Sequence, residues 1–139
     1  KGLASDLAED LPRHVPRRRV DFEKGKPAVT RFEVERHIGS CSLLKAVPLS
    51  GRTNQIRVHL DHVGHPIVGD KVYEKRLPPE SGGPLGGEHS QRLIDRQALH
   101  CRELRFAHPH TGRLLHLSAP YPDDFVRLIE LLALHADGR

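Results

Sequence analysis

Ser50 to Asp70, SGRTNQIRVHLDHVGHPIVGD, gathers the residues of this chain best able to do chemistry. Arg52 and Arg57 stand five apart, and His59, His62 and His65 recur at three-residue intervals. Arginine stays charged, and its planar fork matches both oxygens of a carboxylate. Two readings of Arg57 follow. It either pairs with Asp61, one helical turn on, for about 0.3–0.5 kcal/mol, or it points into a cleft and holds a carboxylate. The histidines raise the question of zinc. His59 and His62 share a helix face, but His65 follows Gly64 and no fourth ligand is signalled, so no metal is assigned. Cys41 and Cys101 lie sixty apart, with nothing linking either to a histidine as a nucleophilic dyad. Neither GxGxxG nor GxxxxGK(S/T) occurs, so the chain carries no phosphate-loop motif.

A short helix has to position the two arginines. Gly51 turns the chain, and Thr53 is its expected N-cap. Ile56, Leu60 and Val63 give an apolar stripe, Gly64 suits the C′ position, and Pro66 cannot continue the helix. Upstream, Gly25 and Pro27 punctuate the entry to a strand in which Phe32 and Val34 alternate with Arg31, Glu33 and Glu35. Gly39-Ser40 turns it, Cys41–Val47 returns, and Pro48 ends the pairing or sits at an edge. Downstream, Ile67-Val68 is an apolar stub before a Gly69-Asp70 turn. Leu99–Phe106 and Arg113–Ala119 read as a second hairpin around His108-Pro109-His110-Thr111-Gly112. Pro122, Asp123 and Asp124 open a last helix with Phe125, Leu128, Ile129 and Leu132 on one face, and Ala133–Arg139 is expected to fray. The fold class is α+β with antiparallel pairing.

Charge and composition bound the rest. The chain has 139 residues, 22 basic against 18 acidic, a net charge of +4 and a pI near 9.4. That length suits one domain or part of one, and burying roughly two-thirds of the unfolded surface gives it a core. The mild positive balance permits a nucleic-acid partner without demanding one. Arg17, Arg18 and Arg19 form a basic run, read as a solvated loop or as contacts to RNA phosphates. Four Phe, two Tyr and no Trp are too few aromatics for a base-stacking platform. The two cysteines form no CxxC pattern, which fits a reducing cytoplasm, and no apolar run reaches membrane-spanning length. Residues 77–90 are poor in apolar side chains and rich in proline and glycine, as a surface loop would be.

The arginine segment closely resembles a signature of the RluA/RluD-type pseudouridine synthases, GRT(H/N)QIRVH followed by GHPIVGD. Three further stretches are similar to that family in the same order: KGKPAVT at Lys24–Thr30, DRQALH at Asp95–His100 with HPHTG at His108–Gly112, and APYPDDFVRLIE at Ala119–Glu130. The resemblance implies a mixed, largely antiparallel sheet with flanking helices, of which residues 1–139 are the C-terminal half of the catalytic domain. It also implies isomerisation of a uridine already in RNA, on the large-subunit ribosomal side of the family, without metal or organic cofactor. Arg57 then matches the arginine that pairs with the family's catalytic aspartate. Arg52, Asn54, Gln55 and Ile56 match positions around the substrate.

That aspartate lies in an HRLD-x-x-(T/S)-(S/T)-G segment, and none of the nine aspartates here has that context. The expectation is therefore a chain inactive alone, whose Arg57 clasps an acid that the chain itself lacks. Its partners would be structured RNA and the missing N-terminal catalytic half. An exposed apolar sheet edge, or a dimer that buries it, is expected with such a half. The competing readings are a non-catalytic RNA-binding module on the same scaffold and a domain with no RNA role.

Overall fold

A computed structural model of the chain describes residues 18–73 and 93–137. The expectations for Arg17, for the N-terminal stretch before it and for the loop at 77–90 lie outside the described residues. The described elements are β1 (Thr30–Ile38), β2 (Cys41–Pro48), α1 (Gln55–His62), β3 (Glu103–Ala107), β4 (Leu114–Ser118) and α2 (Asp123–Asp137). The architecture is α+β: β1–β2 and β3–β4 are antiparallel hairpins, each a two-stranded sheet of its own. Among the described residues, no helix is long and apolar enough to cross a membrane.

The first hairpin turns at Gly39, whose φ of 56° suits glycine. Its register slips between Val34 and Arg36, so Glu35 is an extra residue with no opposite number. Directly opposed residues share a face. Before the slip, Thr30, Phe32 and Val34 lie together. After it, Ile38 lies with Cys41 and Leu43 instead of with Phe32. Those three meet the core, where Ile38 packs with Ile94, Leu128 and Leu132.

The last helix supplies half of that core. Phe125, Leu128 and Leu132 recur at helical spacing and are buried. The Pro122 carbonyl accepts the Phe125 and Val126 amides, both at 3.0 Å. Arg96 forks onto Asp124 through Nε and Nη2, both at 2.8 Å, which ties the helix start to the segment after Ile94. The helix does not fray at Ala133 but continues to Asp137. Ala133 packs on the core, and Ala136 lies against the Gly39 turn, where an added Cβ would come within 3.1 Å of its own.

Helix α1 also departs from expectation at its start. Asn54, not Thr53, is the N-cap, in the left-handed region at φ 57° and without a side-chain capping bond. The buried face is Gln55, Val58 and Leu60, while Val63 stands at the C-cap and is 60 % exposed. An eight-residue helix is too short for a stripe that runs past its own end. Its C-terminus closes as expected: Gly64 has φ 83°, its amide reaches the Asp61 carbonyl at 3.1 Å, and the His65 amide reaches Leu60 at 2.9 Å.

The second hairpin is narrower than its sequence pattern. Its turn is closed by the His108 amide on the Arg113 carbonyl at 2.8 Å, with Gly112 at φ 66°. Leu104 opposes Leu117 and Phe106 opposes Leu115, which makes one face wholly apolar. Leu104, Phe106 and Leu117 on that face are nonetheless exposed. On the other face, Glu103 lies 3.5 Å from both Arg105 and His116.

Gly69 has φ 74°, and a Cβ there would sit 2.5 Å from the Arg96 carbonyl oxygen and 2.7 Å from Ile94 Cγ2. Gly64 has the same backbone need but open space around it. In urea unfolding, Gly64→Ala should cost only the left-handed strain, about 1–2 kcal/mol. Gly69→Ala should add an overpacking cost of about 1–3 kcal/mol. Equal losses would contradict the close approach at Gly69.

Candidate functional site

The loop between β2 and α1 is fixed by one buried amide. Gln55 Oε1 accepts the Ser50 hydroxyl at 2.8 Å and the Arg52 amide at 3.0 Å. Its Nε2 donates to the Val29 carbonyl at 2.9 Å and to Thr30 Oγ1 at 3.0 Å. Ser50 Oγ in turn accepts the Val29 amide at 2.9 Å. The Gln55 side chain is 6 % exposed, and both of its ends are engaged. Buried amides are stable only when satisfied in this way. Gln55 therefore holds the wall of the site and does not offer its amide to a ligand.

That wall carries Arg57 inward. Its Nε donates to Asp70 Oδ2 at 2.7 Å and its Nη2 to Asp70 Oδ1 at 2.8 Å, a bidentate pair. Its Nη1 donates to Asn54 Oδ1 at 3.1 Å. The Tyr73 ring lies under the guanidinium, 5.1 Å from centroid to Cζ. The Arg57 side chain is 15 % exposed and that of Asp70 fully buried. Asp70 Oδ1 also accepts the Val72 amide at 3.0 Å and the Tyr73 amide at 3.1 Å. The Tyr73 hydroxyl accepts the Arg18 amide at 3.0 Å.

Arg57 thus has a carboxylate partner within the chain. Asp70 supplies it, thirteen residues downstream in sequence. Arg57 does not close on Asp61 along the helix. The fork instead meets a carboxylate that the Gly69-Asp70 turn presents from outside α1.

The other expected site residues scatter around this pair. Arg52 is exposed, and its Nε donates to the Pro27 carbonyl at 3.3 Å. Ile56 is half-buried. Arg18 and Arg19 are exposed, and Arg18 reaches the site only through its main chain. Asn54 Nδ2 is buried without a hydrogen-bond partner. Among the described residues, no three metal-ligating side chains gather. His59 Nδ1 instead meets Thr30 Oγ1 at 2.9 Å, and His62 packs edge-on to Phe22. A shallow groove of about 480 Å³ lies away from Arg57, between Glu35, Arg102, Tyr121 and Ile129.

Asp70 and Tyr73 were not singled out by residue type and spacing. The signal was present, because GHPIVGD ends on an acid after a glycine turn. Nothing local links that acid to Arg57, since the contact is made by the fold.

The family profile for RNA pseudouridylate synthase matches residues 3–62. The ribosomal large subunit pseudouridine synthase D of Escherichia coli (strain K12) is 41 % identical over 127 residues, which cover 89 % of this chain and 39 % of that protein. The protein of the same name from Pasteurella multocida (strain Pm70) is 43 % identical over 113 residues, 81 % of this chain and 34 % of its own. Over most of its length the chain is similar to these pseudouridine synthases. It spans about two-fifths of the length of the curated relatives it matches. The family profile ends with the last residue of α1, so it includes Arg57 and stops short of Asp70 and Tyr73.

Burial pushes the Asp70 carboxyl up, but the Arg57 fork and the Val72 and Tyr73 amides outweigh it and hold the group below the ordinary carboxylate range. Hydrogen bonding to Asp70 raises Arg57 further above its own ordinary value. A depressed carboxyl contributes stability above its unfolded pKa, and that stability is lost as pH falls through the folded value. Asp70→Asn should therefore cost on the order of 3–5 kcal/mol at neutral pH, by leaving Arg57 buried and unpaired. The deficit should shrink at about pH 2.5. Urea unfolding at both pH values checks this, and an equal deficit at each would contradict it.

Proposed function

We propose that this chain provides the Arg57-bearing part of an RNA pseudouridine synthase acting on large-subunit ribosomal RNA. The single observation that carries the reading is the buried Arg57. It is held by Asp70, Asn54 and Tyr73, yet only three of its hydrogen bonds are made among the described residues. A guanidinium with donors to spare is suited to a second carboxylate. In this reading that carboxylate is the family's catalytic aspartate, from an HRLD-type segment that this sequence does not contain.

The reaction breaks the N1–C1′ bond of a uridine, turns the freed uracil and joins its C5 to C1′. The base must first leave its stack. Arg57 would set the aspartate's orientation and keep it ionised for its work on the sugar or base. Arg52 and Ile56 would border the flipped nucleotide, with Gln55 holding them in place and Asn54 beside Arg57. Exposed Arg18 and Arg19, with Arg17 preceding them, would meet phosphates and add affinity without sequence choice. The open apolar face of β3–β4 fits a surface that the remainder of a catalytic domain, or a second copy, covers. The relatives are bacterial, and a cytoplasmic location accompanies the reading.

A second reading has an observation in its favour. Asp70 already neutralises Arg57, so the scaffold is electrostatically complete without a catalytic aspartate and could serve as an RNA-binding module alone.

Tritium release from uridine-labelled ribosomal RNA separates the two. The chain alone should give none. A chimera in which the full chain replaces the matching part of the Escherichia coli relative should turn over. In that chimera, Arg57→Ala should lower kcat/KM by roughly 10²–10³-fold, and Arg57→Lys should recover little because an ammonium cannot fork. A folded chimera without turnover, but with salt-dependent RNA binding, would favour the module instead. Turnover by the isolated chain would overturn the argument from the absent aspartate.

A further inference from the structure

The geometry points to Asp70 as a positioning residue of the synthase site: it seats Arg57 so that the unused part of the guanidinium faces an incoming carboxylate. This rests on the function proposed above and adds to it a residue beyond the QIR triplet.

Three constraints fix the guanidinium. Asp70 takes the Nε and Nη2 side, Asn54 Oδ1 takes one Nη1 hydrogen, and the Tyr73 ring covers one face. A free arginine side chain samples many rotamers, and ordering one costs conformational entropy. Here that ordering is already done. Asp70 itself cannot swing, because two backbone amides of its own turn hold Oδ1 and no part of its side chain meets solvent. Gly69 permits the turn, and the Ile94–Arg96 segment backs it at a distance that excludes a Cβ. The chain thus builds a rigid socket behind one side of Arg57 and, among the described residues, leaves the rest of its donors unspent.

Asn54 adds an independent sign that something belongs in front of the socket. Its Oδ1 faces Nη1, so the same amide's Nδ2 lies one amide width away, and that nitrogen is buried without an acceptor. A buried donor left without an acceptor is destabilising. Asn54 also adopts a left-handed backbone, which asparagine tolerates better than most residues. An unmatched donor beside a guanidinium with donors to spare asks for one acidic acceptor. A carboxylate there would meet the guanidinium donors.

Such a role predicts that Asp70 acts through Arg57 and not on the RNA. The chimera described above tests it, with Asp70→Asn, Arg57→Lys and the double variant. Asparagine keeps an oxygen for the Val72 and Tyr73 amides while removing the charge and the second acceptor for Arg57. The expected result is a fall in kcat of about 10–100-fold for Asp70→Asn, as for other residues that orient an active-site group, with KM for the RNA unchanged. The double variant should be little slower than Arg57→Lys alone, because the two substitutions remove one shared interaction.

A second measurement needs no turnover. In the 15N-labelled 139-residue chain, the Arg57 Nε–H signal should be sharp and slow to exchange, and should collapse in Asp70→Asn. Unchanged kcat for Asp70→Asn, losses that multiply in the double variant, or a fast-exchanging Nε–H in the parent chain would each overturn the inference. An inactive parent chimera would instead sink the functional reading on which it rests. An active parent indifferent to Asp70→Asn would sink this inference alone.

Discussion

A charge pair taken out of water is the constraint around which this chain is arranged. Asp70 is wholly buried and Arg57 is 15 % exposed, and each supplies the charge that offsets the other's loss of water. Burial alone would force the carboxyl toward its neutral form, and the paired fork and two amides reverse that. Satisfying the pair places three demands on the fold. Helix α1 must present Arg57 at a fixed depth, the Gly69 turn must deliver Asp70 to it, and the Tyr73 ring must cover the guanidinium. Helix α1 meets the first, and the turn from Gly69 to Tyr73 meets the other two. The interaction therefore joins stretches that sequence order keeps apart.

Much of this was legible beforehand, and the reasons are physical. Strand alternation and turn glycines exposed both hairpins, because period-two patterns and positive-φ positions are local properties. The proline and aspartates before Phe125 marked the last helix for the same reason. What local signals could not give was the partner of Arg57. Asp61 was the near candidate by helical spacing, and Asp70 wins through tertiary geometry. Likewise Gln55 looks like any polar residue at a helix start, yet its amide is the tie between α1 and the entry to β1. Thr53 lost the capping position to Asn54, because Asn54 Oδ1 serves Arg57 from a left-handed backbone that a β-branched threonine would strain to adopt.

The two hairpins differ in how well they are used. The first meets both helices and contributes Ile38, Cys41 and Leu43 to the core. The second carries the better apolar pattern, Leu104, Phe106, Leu115 and Leu117 on one face, but leaves most of it exposed. A hydrophobic face is normally stable only against another layer. The chain also spans about two-fifths of its relatives.

The spare residue at Glu35 has a structural meaning of its own. Upstream of it, Thr30 turns toward α1, where its hydroxyl meets Gln55 and His59. Downstream, the parity of the strand is inverted, and Ile38 turns the opposite way to reach α2. One short ribbon can therefore lie between two helices like a shim, gripped on one side at its beginning and on the other at its end. A strand of unbroken rhythm could have served only one of them with the same spacing of apolar residues.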